Sequence, residues 1–357
     1  MVGKQVSSFR PELRLDKPTI GSDLVRRGLP DAAREAPQNT ALLLSGRLDS
    51  GALARLQDPE IPVITAGMKG APDLKFARKL AELDGVKSSN IIQIEWDEDQ
   101  AMAVLRETVR TMQSYDLAIL SDMVVYGCMV KAKELGITTI RTGDPADELF
   151  EGEGSRINVE LLEDLQSKRI GSRLGLRMDY PYRKKNIIEI AKSLRVEENV
   201  RHVDVEVPSD HYAHYEKAGG WDKSRGYDWT KLTLRRAMYG ILPNDVVYRM
   251  KAPLQYGSWT YKLTNRLNDI AKKGMAKLDD ASKTFWNRTD KFGMHVGLYR
   301  IYTELNLSPP KITSPQTQYE CRGCKGAVDE TTQICHTCGI WPTKNGSITN
   351  GEGDRND

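Results

Sequence analysis

Leu42-Leu43-Leu44-Ser45-Gly46-Arg47-Leu48-Asp49-Ser50-Gly51 sets a short apolar run against a polar, glycine-containing turn. A helical pattern through Leu53, Ala54 and Leu56 follows at once. That order predicts a buried strand, a loop and a helix N-terminus, where unpaired N–H groups and the positive dipole end attract anions. Ser45 and Ser50 add hydroxyl donors, and Asp49 adds a carboxylate able to bridge through magnesium to phosphate oxygens. A second stretch, Thr138-Thr139-Ile140-Arg141-Thr142-Gly143-Asp144-Pro145-Ala146-Asp147-Glu148-Leu149-Phe150, is again a strand running into a turn, with three carboxylates in five residues. Taken singly, either stretch reads as an ordinary solvated loop.

Outward from these loops the pattern alternates. Strands are expected at 41–45, 61–66, 91–94 and 137–141. Helices are expected at 23–35 (interrupted near Pro30), at 74–83 opened by Pro72-Asp73, from 97 or 98 to 112, and from a cap at Ser121 or Asp122 to Gly136. Strands alternating with helices predict a parallel sheet covered on both faces, with its site beyond the carboxyl ends of the strands. From 155 to 306 the pattern is mostly helical, with helices expected at 159–167, 187–194, 229–238, 261–275 and 296–305.

Composition bounds the rest. The 357 residues are 39% hydrophobic and 28% charged, with a net charge of +3. That is a globular chain without the charge excess of a nucleic-acid groove or membrane face. No stretch approaches ~18 consecutive apolar residues, so no membrane span is expected, and the polar N-terminus points to a cytoplasmic protein. Of five cysteines, Cys128 reads as a core residue in an apolar helix. Cys321-x-x-Cys324 and Cys335-x-x-Cys338 have the spacing of a tetrahedral Zn2+ site.

The two loops, about 95 residues apart, resemble the paired signatures of the synthetase domain of asparagine synthetases, Ser-Gly-Gly-Leu-Asp-Ser and Ser-Gly-Glu/Asp-Gly-Ala-Asp-Glu-Leu-Phe. The segments Gly67–Lys75, Tyr115-Asp116, Leu234–Ala237, Leu242-Pro243 and Arg249-Met250-Lys251 with Gly257 extend the resemblance from about 39 to 306. The resemblance implies the N-type ATP pyrophosphatase (PP-loop) superfamily. Its α/β fold has a parallel sheet flanked by helices, adenine nucleotide alpha hydrolase-like, with a helical C-terminal portion; here a small C-terminal zinc ribbon is added. The expected organisation is an extension at 1–38, the synthetase-like domain at 39–308, a linker and zinc ribbon at 309–345, and a disordered tail at 346–357.

By resemblance, Ser45, Gly46, Asp49 and Ser50 hold the pyrophosphate portion of ATP. Leu43, Ala66, Thr142 and Gly143 line the adenosine site, Asp49 and Asp147 hold Mg2+, and Asp144 and Lys251 are catalytic. The implied function is an AMP-forming amide synthetase: a carboxylate becomes an acyl-adenylate, which ammonia or an amine attacks. Three departures stand out. Arg47 replaces a second glycine, strained if that position needs positive φ, or else free to sit beside phosphate. Pro145 replaces another glycine and removes an N–H. Tyr180–Lys185 puts basic residues where the family has Pro-Phe-Leu-Asp. Val2 stands where the family's glutaminase has its catalytic cysteine, so a chain without its own glutaminase is expected, fed with ammonia from solution or from a separate ammonia-supplying or carrier partner. Two other readings stay open: a PP-loop enzyme that adenylates a nucleic-acid (tRNA) base, since zinc ribbons often touch RNA, and a non-catalytic ATP-binding scaffold.

Overall fold

The apolar run that opens the first loop is strand β1 (Thr40–Leu43). It joins β2 (Val63–Met68), β3 (Ile91–Trp96), β4 (Thr139–Arg141) and β5 (Arg177–Asp179) in one sheet of order β3-β2-β1-β4-β5. Every neighbouring pair is parallel, with Leu42 opposite Val63 and Ala41 opposite Ile140. All six residues of β2 are buried, as a central strand covered on both faces requires. The computed structural model describes residues 13–151, 162, 165–203, 227–273, 292–312, 319–330, 332–341 and 343.

Five longer helices accompany the strands: α1 (Ile20–Arg34), α2 (Leu48–Leu56), α3 (Pro72–Leu83), α4 (Glu98–Met112) and α5 (Ile119–Glu134). A capping box starts α1, with Thr19 Oγ1 accepting from Ser22 N at 3.2 Å and Ser22 Oγ accepting from Thr19 N at 2.8 Å. The expected interruption at Pro30 does not occur; α1 runs through it. Burial of Val25, Leu29, Ala32 and Ala33 against the core, at about 1.5–3 kcal/mol for each large side chain, outweighs the ~3 kcal/mol cost of an internal proline. Helix α5 begins before its expected caps because their side chains serve tertiary contacts. Ser121 Oγ donates to Gln255 Oε1 at 2.5 Å, and Asp122 Oδ2 accepts from Gln166 Nε2 at 3.0 Å.

Further along come the short α6 (Ala146–Leu149), α7 (Gln166–Leu174) and α8 (Lys185–Ser193). Most of the helix expected at 159–167 lies outside the described residues. The helix expected from Trp229 is corrected. Tyr227–Trp229 is a strand paired antiparallel with Arg201–Val203, and the helix α9 runs Leu232–Met238. Lys231 between them has φ 57°, a left-handed conformation that cannot continue a helix. The expected helix at 261–275 is a 3-10 turn, Thr260–Leu263, followed by α10 (Thr264–Lys272), and the last expected helix is α11 (Phe292–Glu304). The tail expected to be disordered lies outside the described residues.

Contacts divide the chain into two units, Met1–Ala101 with Ser121–Tyr261, and Met102–Leu120 with Lys262–Asp357. The first holds the sheet, and α1 belongs to its core. In the second, α10 packs on α11, and Tyr115 stacks edge-on against Tyr299 and Tyr302 with ring centroids 5.1 and 5.0 Å apart. The cysteine hairpin, Tyr319–Glu320 paired antiparallel with Ala327–Val328, belongs to this unit, where Tyr115 N donates to Thr337 O at 2.8 Å.

Asp84 closes α3 with its carboxylate at the negative end of the helix dipole, and Oδ2 is buried without a partner. Burial raises its pKa from 3.8 to about 6, against the opposing hydrogen bond and charge of Arg55. The folded chain thus keeps a proton that the unfolded chain releases, so stability falls as pH rises between those values. Asp84→Asn is expected to melt above the parent at about pH 8, with the difference closing near pH 4. A pH-independent difference in thermal melts would contradict this.

Candidate active site

The chain leaves β1 for β2 and β3 on one side and returns to β4 on the other. The order therefore reverses between β1 and β4, and a crevice opens at their carboxyl ends. Both signature loops leave from those ends. They meet at Gly143, where a Cβ would lie 2.9 Å from Asp49 Cβ and 3.0 Å from Ser50 N. Only a residue without a side chain lets the second loop come this close to the first.

In the first loop Gly46 has φ 68°, and a Cβ there would collide with the backbone of Phe76 and Ala77. Ser50 Oγ accepts from Ser45 N at 3.1 Å and lies 3.0 Å from Ser45 Oγ, tying the turn across itself. The positive φ belongs to Gly46, not Arg47, whose φ of −110° and ψ of 177° are extended, so arginine is unstrained. Its side chain does not cap α2, which leaves the first N–H groups of that helix uncapped at the crevice. Tyr182, fully buried, donates from its hydroxyl to Asp49 O at 3.1 Å and steadies the loop.

The carboxylates converge on one cation. Lys231 Nζ lies 2.5 Å from Asp49 Oδ2 and 2.7 Å from Asp147 Oδ1, and Lys251 Nζ lies 2.6 Å from the same Asp147 oxygen. Asp147 is held well below the usual carboxylate range; burial works against this, but the ammonium groups of Lys231 and Lys251 outweigh it. Burial raises the Asp144 carboxyl, and the charges of Asp147 and Asp49 add to the effect, against hydrogen bonds from Ser167 and Thr142. Two neighbouring carboxyl groups driven in opposite directions suit different tasks, one holding a cation and one exchanging a proton.

Asp49 Oδ1 is buried with no hydrogen-bond partner. An oxygen with unused lone pairs, beside a second carboxylate already sharing a cation, fits a divalent metal site. Asp49 and Asp147 are the residues that would hold it.

Of the residues singled out from the sequence, Leu43, Ser45, Asp49 and Ser50 from the first loop line one pocket. Thr142, Gly143, Asp144, Asp147 and Lys251 line it too. Gly46 lies behind it, shaping the turn, and Ala66 is buried within β2. The basic stretch Arg183–Lys185 is absent from the lining among the described residues; Lys184 instead pairs with Glu35 at 3.0 Å. Sequence reasoning missed Lys231 and gave no site role to Arg235 and Arg249, though both lie in segments it singled out; all three line the pocket. A signal existed for Lys231, three residues before the Leu234-Arg235 pair, but its left-handed backbone carries none.

The four C-terminal thiols form the second cluster, with all sulfurs within 4.8 Å of one another. Cys321 and Cys338 sulfurs are 3.6 Å apart, Cys324 and Cys335 sulfurs 3.7 Å apart. Zn–S bonds of about 2.3 Å put tetrahedral sulfurs about 3.8 Å apart, so the cluster fits zinc. Gly323 N donates to Cys321 Sγ at 3.4 Å, a hydrogen bond that favours the thiolate form of that sulfur.

A family model described as asparagine synthase matches residues 25–171 and 160–292, about three quarters of the chain. A probable glutamine-hydrolyzing asparagine synthetase of Schizosaccharomyces pombe is 25% identical over 315 residues, 75% of this chain and 53% of that protein. Glutamine-hydrolyzing asparagine synthetase 3 of Arabidopsis thaliana is 24% identical over 282 residues, 70% of this chain and 45% of its own. Asparagine synthetase B of Escherichia coli is 26% identical over 129 residues, 31% of this chain and 23% of its own. The chain spans about half the length of the first two of these curated relatives.

Proposed function

Because the chain belongs to the asparagine synthase family, we propose that it is an ATP-dependent, AMP-forming amide synthetase. A carboxylate oxygen attacks the α-phosphorus of ATP, pyrophosphate leaves, and ammonia or an amine displaces AMP from the acyl-adenylate. The observation that carries this reading is the convergence of Asp49, Asp147, Lys231 and Lys251 within one pocket at the strand reversal. Magnesium, held by Asp49 and Asp147, neutralises triphosphate charge when bound. The Ser45–Ser50 turn and the uncapped start of α2 receive the pyrophosphate end. Lys251 meets the charge that builds as pyrophosphate departs. Asp144, with its raised pKa, accepts a proton from the attacking nitrogen.

The nitrogen enters as ammonia or an amine. No cysteine of this chain suits a glutaminase nucleophile: Cys128 is buried with its thiol pushed up to about 12, and the other four form the cluster.

Exchange of labelled pyrophosphate into ATP tests adenylation alone, with a panel of carboxylates and aspartate first. Exchange dependent on one carboxylate is the expected result. Binding of magnesium-ATP with no exchange for any carboxylate would favour a scaffold. In full turnover by the purified chain, ammonium is expected to serve and glutamine to fail; equal use of glutamine would overturn the nitrogen assignment.

A further inference from the structure

Arg47 carries no part in the reaction just described, yet it is built into the site. Its Nη2 lies 2.8 Å from Asp73 Oδ2 and 3.2 Å from Pro253 O, while Nη1 donates to Ala252 O. Asp73 is 1% exposed, and its other oxygen accepts from Arg249 Nη2 at 2.6 Å. Arg249 in turn donates from Nη1 to Gly46 O at 2.9 Å, with its guanidinium 4.1 Å from the centre of the Phe76 ring. One buried carboxylate therefore holds two guanidinium groups, one from the first loop and one from the segment that leads into Lys251.

Residues 251–253 lie between Arg249 and the short helix Leu254–Gly257 and have no helix or strand of their own. Their fixed points are Arg249 before Lys251 and the carbonyls of Ala252 and Pro253 after it. Arg47 supplies the second set directly and, through Asp73, supports the first. There is no slack in this cluster: a Cβ at Gly257 would collide with both Asp73 and Arg47.

We propose that Arg47 is a positioning residue, latching the Lys251 segment to the phosphate loop so that Lys251 reaches the reacting phosphate. The role rests on the function proposed above and extends it to a residue that the signature does not contain. A planar, forked donor is required because three acceptors on two segments must be met at once. Removing Arg47 leaves Asp73 still paired with Arg249, so the fold survives the change that releases the latch.

The test compares Arg47→Gly, Arg47→Lys, Lys251→Ala and the double variant Arg47→Gly/Lys251→Ala in pyrophosphate exchange and magnesium-ATP binding. Misplacing a catalytic group by about 1 Å costs on the order of 100-fold. Arg47→Gly is therefore expected to lose about 100-fold in turnover, with magnesium-ATP affinity changed less than about threefold. Arg47→Lys is expected not to rescue, since an ammonium replaces the charge but not the fork. The double variant is expected to be no slower than Lys251→Ala, because Arg47 acts through that lysine. Rescue by lysine, additive losses, or an affinity loss as large as the turnover loss would mean that Arg47 meets phosphate itself, overturning the latch. Amide hydrogen exchange over residues 249–258 is an arm independent of activity: Arg47→Gly is expected to speed it about tenfold or more. Unchanged exchange rates overturn the latch even if no carboxylate is adenylated; faster rates with no adenylation overturn only the proposed function.

Discussion

Replacement of Lys251 by alanine is expected to lower pyrophosphate exchange by about 100- to 1,000-fold, with magnesium-ATP affinity falling by less than about tenfold. The reason lies in when its charge is needed. Lys251 is satisfied by Asp147 at 2.6 Å, so ground-state binding of ATP gains little from it. As pyrophosphate leaves, negative charge grows on the phosphates, and an ammonium already positioned there stabilises the transition state more than the ground state. The carboxylates should behave in the opposite way. Asp49→Asn and Asp147→Asn remove the groups that would hold magnesium, and without the ion a triphosphate is repelled by the remaining acids, so nucleotide binding itself should weaken. Asp144→Asn should spare much of the exchange yet impair amide formation, because its proton transfer belongs to the second half-reaction. Equal exchange and equal turnover in Lys251→Ala and the parent would sink the catalytic assignment.

We propose that the four-thiol cluster holds zinc, so treatment with a chelator, or replacement of Cys338 by serine, is expected to unfold residues 319–341. A structural zinc site contributes on the order of 10–16 kcal/mol at neutral pH, and this hairpin has little else. Its described strands are two residues each, while Ile334 and Trp341 are 47% and 63% exposed. Purified protein should carry one zinc per chain, and amide protection across the hairpin should vanish with a chelator. The effect should reach Tyr115, whose backbone N–H is satisfied by Thr337 O, and the turn at Asp116, against which Gly339 is packed so closely that a Cβ would collide. Full protection of the hairpin in metal-free protein would contradict the assignment.

Much of the sheet was legible because buried parallel strands leave uninterrupted apolar runs and the helices between them keep their period. The first four strands and both signature loops follow from such patterns. β5 did not, since Arg177-Met178-Asp179 is three residues with no apolar run, held at the sheet edge by pairing with β4. Proline 30 misled because the local rule is overridden by burial of the helix around it. Lys231 was missed because a lysine within an expected helix reads as a solvated residue until the two carboxylates are seen around it. Arg47 was ambiguous for another reason: the sequence cannot assign a positive φ to one of two adjacent positions, and it falls on Gly46 alone.

The second unit is assembled from two separated pieces of chain, Met102–Leu120 and everything after Lys262. During synthesis the first piece emerges about 140 residues before the second begins. At roughly 5–20 residues per second that is an interval on the order of 7–30 s. Throughout it, Tyr115 lacks the Tyr299 and Tyr302 rings and the Thr337 carbonyl that later cover it. The nascent chain therefore carries a segment that cannot bury itself while the last strands of the sheet are still being made. Ribosome-stalled chains ending near residue 261 should recruit a holdase at this segment, and release it only once the cysteine hairpin has been made.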